Sequence, residues 1–282
     1  MSYKQLLHSL LITVFWIFSQ PDAILANCED NYVEFKWGND FLVPEGLDRF
    51  LSNYNSLSHA SCEEIWTFRN EMHTPDDLRG SPVQSMDHPW DGITLLDYTR
   101  RHHIGVHEER RLGIGLGVAG RGSGSAELQR FVHGLGFGAR PTYQPTNPSE
   151  PLLNLSYRHI DRSTIDALWG ISKLTTTYGA DVGNYKTQAI LSQDLRRGFK
   201  HFYGVAGIEG RALLYSTVLD GRLFHKNEYT VSRIPFVAVG SLGIGTDLSP
   251  FVLELKYRFF TEQFESQVGR HTVAELTIRY NI

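Results

Sequence analysis

The sequence predicts an all-β protein: a twelve-stranded antiparallel transmembrane β-barrel with a short helix in one extracellular loop. Three observations predict it. First, segments of roughly ten residues alternate between apolar and polar side chains, the period-two pattern of barrel strands. The pattern is clearest late in the chain, where Phe251, Leu253, Leu255, Tyr257 and Phe259 alternate with Val252, Glu254, Lys256 and Arg258. Ala274, Leu276, Ile278, Tyr280 and Ile282 alternate in the same way with Glu275, Thr277, Arg279 and Asn281. Second, Lys4 precedes an apolar run from Leu6 to Phe18 and a stretch at Ala23–Ala26 suited to cleavage, the layout of a secretory signal. Third, the connections sort by length once the strands are counted. A soluble sandwich would alternate too, with its polar face outward, and the signal and the girdle-like aromatics favour the barrel.

Residues 1–26 are therefore expected to be a signal peptide and 27–282 a single barrel domain. Strands are expected near 30–38, 50–58, 62–72, 92–103, 109–119, 151–160, 164–178, 184–195, 200–217, 229–243, 249–261 and 270–282. An even count places both ends of the barrel on the periplasmic side of a bacterial outer membrane. The short connections His59–Ser61, Ile104–Glu108 and Asp161–Ser163 then become periplasmic turns. The long ones, Asn39–Arg49, His73–Asp91, Gly120–Glu150 and Val218–Glu228, become extracellular loops.

Composition narrows the function classes. The net charge is −4, from 27 Lys and Arg against 31 Asp and Glu, which gives no footprint for nucleic acid. No internal run reaches the ~20 apolar residues of a membrane helix. Cys28 and Cys62 are the two cysteines, leaving one disulfide and two separate thiols as open alternatives. A monomer is the default expectation.

The segment Arg111–His133 organises the middle of the chain. Leu112, Ile114, Leu116 and Val118 share one strand face, and Gly113, Gly115 and Gly117 share the other. That bare face is expected to let a helix or an acyl chain approach the wall. A Gly120–Gly124 loop follows, then a helix with Ser125 as N-cap, Glu127 in the first turn and Gly134 at its end. Leu128, Phe131 and Val132 form its apolar face, while Gln129 and His133 stand four residues apart on another.

Four polar groupings fall at the extracellular end of the first six strands: Asn39–Asp40, Asp48–Asn53, Arg79–Asp91 and Gln129–His133. An adjacent amide and carboxylate offer hard oxygen ligands, suited to Ca²⁺ rather than zinc. A histidine beside a bound cation can act as general base toward water, while the cation stabilises the oxyanion of an ester under attack. The plain alternative is that Asn39–Asp40 only closes a strand end.

Motif order adds a resemblance. Asn39-Asp40 is followed by Asp48-Arg49-Phe50-Leu51-Ser52-Asn53, by Thr74-Pro75-Asp76 and by Asp87-His88-Pro89-Trp90-Asp91-Gly92. Gly117-Val118-Ala119-Gly120, Gln129-Arg130-Phe131-Val132-His133, Asn154 and Tyr157 complete the series. Over most of residues 30–160 the chain resembles the outer-membrane lipid A 3′-O-deacylase family (LpxR-type). The resemblance implies a Ca²⁺-dependent esterase that removes the 3′-acyloxyacyl group of lipid A, the anchor of lipopolysaccharide, in the outer leaflet. It implies a pocket between the barrel wall and the loop helix. Asn39 and Asp40 would lie at the calcium and substrate site, Ser52 would present a hydroxyl to the ester, and His133 would activate water. Arg79 and Gln129 are the expected substrate contacts. Ser52 stands where the family has threonine, and Asn53-Tyr54 where it has a residue and glycine.

Two other readings compete. His59-Ala60-Ser61 has the spacing of a histidine–serine pair on one strand face, as in an outer-membrane phospholipase, although it falls in an expected periplasmic turn. A barrel with a pore role is the third, opposed by the inward charges Glu254, Lys256, Arg258, Glu275 and Arg279, which would plug the lumen.

Overall fold

The computed structural model describes residues 31–40, 43, 50–76, 87–134, 147–167, 170–199, 201–226 and 229–282. Among them twelve strands close into an antiparallel barrel. The first six are β1 (Tyr32–Asn39), β2 (Phe50–Ala60), β3 (Glu64–Thr74), β4 (Asp91–His103), β5 (Glu108–Ala119) and β6 (Glu150–Ala167). The rest are β7 (Gly170–Gly183), β8 (Lys186–Phe199), β9 (Phe202–Ser216), β10 (Phe236–Leu248), β11 (Phe251–Phe260) and β12 (His271–Asn281). Each strand pairs with its sequence neighbour, and β1 closes the ring on β12, Tyr32 lying opposite Asn281 and Asn39 opposite Ala274. A single α-helix, α1 (Ser125–Gly134), lies in the β5–β6 connection among the described residues.

The two faces of the wall are inverted relative to a soluble protein. Leu57, Phe68, Leu116, Ile208 and Ile244 point outward and are 51–69% exposed (Leu57 53%, Phe68 51%, Leu116 58%, Ile208 65%, Ile244 69%). That apolar belt suits lipid, where the closed ladder leaves no main-chain edge unbonded. Inside, opposite charges meet: Arg158 grips Asp181 at 2.8 and 2.9 Å, and Arg69 reaches Asp97 at 3.1 Å. Glu254 meets Lys256 at 3.1 Å, and Glu34 meets Arg279 at 2.6 Å, so the expected inward charges do fill the lumen. Glu109 collects three arginines, Arg101, Arg111 and Arg162, at 2.9, 2.6 and 2.8 Å.

By strand order the long connections fall at one rim, together with the two-residue Asn184–Tyr185 turn between β7 and β8, and the other short turns fall at the opposite rim. One expected turn is corrected. Asp161–Ser163 lies inside β6, where Asp161 pairs with Glu108 and with Thr176. Its polar, turn-forming residues are held by ladder bonds on both sides, which outweigh their local preference. The glycine face is also corrected. Gly113, Gly115 and Gly117 look into the lumen, not toward the helix. A Cβ on Gly115 would lie 2.3 Å from Asp97 Oδ1, one on Gly113 2.4 Å from Ser156 Oγ and one on Gly117 2.9 Å from Leu95, so the bare face makes room for its neighbours on β4 and β6. Cys62 is disulfide-bonded, and Cys28 is the other cysteine of the sequence.

Candidate functional site

The helix α1 docks on the outside of the wall, over β3 and β4. It follows a short 3-10 turn, Gly120–Ser123, and its first internal bond runs from Leu128 N–H to the Gly124 carbonyl at 3.0 Å. Ser125 does not cap it as expected. Its hydroxyl donates to the Glu71 carbonyl at 3.1 Å and accepts from Asn70 Nδ2 at 2.9 Å. Close approach is possible because β4 presents Gly92 there; a Cβ on it would fall 2.4 Å from Ser123 Oγ and 2.7 Å from Ser125 Cβ. Ala126 completes the contact by packing on buried Trp90.

The helix shows its faces in an order that a soluble protein would reverse. Phe131 is 64% exposed and Leu128 36%, while Gln129 is 4% exposed against the wall. The outward face thus carries Leu128 and Phe131 beside the exposed Glu127–Arg130 ion pair, and the covered face carries Ser125, Ala126 and Gln129. The Gln129 Oε1 atom is buried and has no hydrogen-bond partner among the described residues.

The expected site residues distribute as follows. Asn39 ends β1 in the outward register of Phe35 and Trp37, opposite Asn53 of β2. Asp40, one residue on, is 1% exposed and turns inward, its Oδ2 3.9 Å from His271 Nε2. Ser52 sits in a bulge of β2 between Leu51 and Asn53, fully buried, its hydroxyl 3.5 Å from the Met72 carbonyl. Next to it Phe50 takes φ 61, a strained value for a bulky side chain of the kind found near functional sites. His133 lies in the last turn of α1, with its side chain outside the described residues, and so does all of Arg79. Asn39, Asp40, Ser52, Gln129 and the His133 backbone thus share one rim, in the sector of β1 to β4. Among the described residues no three His, Cys, Asp or Glu side chains converge to hold a metal.

In the alternative pair His59, one residue before the end of β2, has an exposed side chain, and the Ser61 hydroxyl accepts from Glu64 N–H at 3.3 Å within the short turn.

Inside the same rim lies a cluster that the sequence did not single out. Glu71 receives the Tyr185 hydroxyl at 2.8 and 2.9 Å and meets His73 at 3.3 Å. His73 stacks on His88 at 5.5 Å, and Phe50 stands edge-on to His271 at 5.4 Å. Burial and the neighbouring His73 hold the His88 imidazole well below its ordinary value, so it is neutral and donates Nδ1–H to the Pro89 carbonyl at 2.8 Å. Burial and the Glu71 charge push the Tyr185 phenol well up. These groups line a cavity of ≈ 410 Å³ in the barrel mouth. A signal for the surface that receives the helix did exist. Asn70 and Thr94 interrupt outward faces otherwise built from Trp66, Phe68, Leu96 and Tyr98, and a polar side chain there needs a cover.

Fold and site together define an outer-membrane β-barrel protein whose polar rim site presses against the outside of its own wall. The chain belongs to the family described as outer membrane protein LpxR, which it matches over residues 7–282. Among solved structures, LpxR from Salmonella typhimurium superposes with a TM-score of 0.74 at 17% identity, covering 89% of this chain and 100% of that one. That likeness establishes the twelve-stranded fold. The KdgM porin and the NanC porin give TM-scores of 0.44 and 0.46 at 8% and 7% identity, over 89% of this chain and 99% and 100% of theirs. No curated protein sequence matches the chain.

Proposed function

We propose that the protein is a Ca²⁺-dependent ester hydrolase that removes the 3′-acyloxyacyl chain of lipid A in the outer leaflet, its site facing the cell exterior. One observation carries the reading. The buried, unpartnered Gln129 oxygen lies on the wall-facing side of a helix outside the barrel, four residues before His133. A site there is reached from the lipid phase, so a membrane-anchored substrate need not enter the lumen. Family membership and the ordered motifs support the same conclusion.

His133 takes a proton from water as the water oxygen attacks the ester carbonyl. As the tetrahedral intermediate collapses, the bond to the sugar 3′ oxygen breaks and His133 returns the proton to that oxygen, leaving a fatty acid and a sugar hydroxyl. Ser52 presents its hydroxyl near the ester, and Arg79 and Gln129 orient the substrate. The donor chemistry on the outer face fits calcium: Asn39 and Gln129 carry amide oxygens, the Gln129 one buried and orphaned, and Asp40, which turns inward beside His271, would have to swing outward to add its carboxylate. A Ca²⁺ ion held by these oxygens would supply positive charge to stabilise the oxyanion.

The test is the mass of lipid A extracted from outer membranes containing the protein, with calcium or with chelator. The reading expects loss of the 3′ chains with calcium only, abolished in His133→Ala. Activity that survives His133→Ala and fails in Ser61→Ala would move the assignment to a serine enzyme. Unchanged lipid A with ion conductance would make the protein a pore.

A further inference from the structure

We propose that Asn70 is a positioning residue for α1, holding the helix that carries Gln129 and His133 at its place on the wall. The consequence for turnover rests on the proposed function; the consequence for helix placement does not.

Asn70 sits on the outer face of β3, yet it is 6% exposed while Phe68, two residues before it, is 51% exposed. Its Nδ2 donates twice, to Thr94 Oγ1 at 2.7 Å and to Ser125 Oγ at 2.9 Å. Both hydroxyl protons are already directed elsewhere. Thr94 Oγ1 donates to the Ser123 carbonyl at 2.7 Å, and Ser125 Oγ donates to the Glu71 carbonyl at 3.1 Å. Ser123 Oγ in turn donates to Ser125 Oγ at 3.0 Å. The chain of donors therefore has one direction, and Asn70, with two protons on one nitrogen, satisfies both hydroxyl oxygens at once. Neither a carboxylate nor an apolar side chain at position 70 could do so.

The barrel itself does not depend on this clamp. Its twelve strand pairings are main-chain ladders, so loss of Asn70 falls on the helix. His133 lies eight residues beyond Ser125, a lever of ~12 Å at 1.5 Å per residue. A tilt of ~10° about Ser125 would move it by ~2 Å, more than a positioned general base tolerates. Gly92 is the steric counterpart: its missing Cβ sets how closely Ser123 and Ser125 approach β4.

The experiment uses the full-length barrel in detergent, with nitroxide labels on Leu96→Cys of β4 and Phe131→Cys of α1, both exposed side chains. Distances between the labels are measured in the parent, Asn70→Ala and Gly92→Ala, with heat-modifiable gel mobility confirming a folded barrel. Displacement of the helix in Asn70→Ala, with kcat down about tenfold or more and KM within about threefold, supports the proposal. Gly92→Ala, which keeps Asn70 but pushes the helix outward, is expected to give the same split. An unchanged distance in Asn70→Ala overturns the clamp, and a displaced helix with unchanged kcat overturns its positioning role. A parent without deacylase activity would defeat the proposed function alone, because the distances still decide whether Asn70 holds the helix.

Discussion

Tyr185 and Glu71, 114 positions apart in sequence, meet inside the rim, the phenol oxygen lying 2.8 and 2.9 Å from the two carboxylate oxygens. One hydroxyl proton is shared between them, and burial beside Glu71 keeps the phenol protonated. The bond ties the β7–β8 hairpin to β3 across the mouth. The Glu71 main chain meanwhile points through the wall and receives Ser125 of α1. Tyr185→Phe is expected to lower stability by about 1.5–3 kcal/mol, the worth of a hydrogen bond to a charged group. Urea unfolding of the detergent-solubilised barrel measures it. No change would mean that Glu71 is held well enough by His73 and Arg69.

Arg222 is the anchor of the β9–β10 connection. It reaches across to Asp91 at 2.7 Å and also donates to the Pro148 carbonyl at 2.9 Å and Thr217 Oγ1 at 2.9 Å, with both ionic side chains 0% exposed. Arg222→Ala leaves Asp91 buried without its counter-charge and is expected to cost about 3–5 kcal/mol. The pair Arg222→Ala with Asp91→Asn should recover part of that loss. A double variant as unstable as the sum of its singles would show that the two side chains act separately.

Acid should loosen the rim through His88. Its folded-state proton affinity lies well below the ordinary 6.5, so the unfolded chain binds more protons between the two values. Stability therefore rises with pH up to about 6.5 and is lost as the pH falls below it, by up to ~1.4 kcal/mol per pH unit. The melting temperature is expected to drop between pH 7 and pH 5, and to drop less in His88→Phe. Equal slopes in the two proteins would clear His88 of the effect.

Calcium dependence should report on Gln129. Replacing the buried amide by a hydrocarbon in Gln129→Leu is expected to raise the calcium needed for half-maximal deacylation about tenfold or more, as loss of one oxygen ligand does. Leu128→Ala, on the exposed face, should leave that requirement unchanged. Equal calcium titrations for Gln129→Leu and the parent would remove Gln129 from the cation site and leave it as a substrate contact.

Much of this fold was legible because a barrel strand writes its two faces into alternate positions. All twelve strands appear in the expected order, with ends shifted by up to seven residues, most at β6, β7 and β10, and one turn misplaced at Asp161–Ser163. Alternation tells which residues share a face, but it does not tell which face looks inward when one is bare glycine. Gly113, Gly115 and Gly117 were expected to receive the helix, yet Gly92, a lone glycine one strand away, does so. The helix itself was legible to within its cap. Ser125 has the chemistry of an N-cap, and a stronger set of partners on β3 took its hydroxyl.

The sequence by itself determined the closed barrel, the rim on which the polar motifs gather and the helix that carries Gln129 and His133, because periodicity, turn chemistry and loop length are local properties. Only the tertiary structure decided that Asn39 and Asp40 part to opposite faces of the wall. It alone brought Glu71 to Tyr185, turned the apolar side of α1 outward and buried Asn70 beneath Ser125. Those outcomes depend on curvature, strand register and the lipid-facing side of the wall, which bring together residues far apart in the chain.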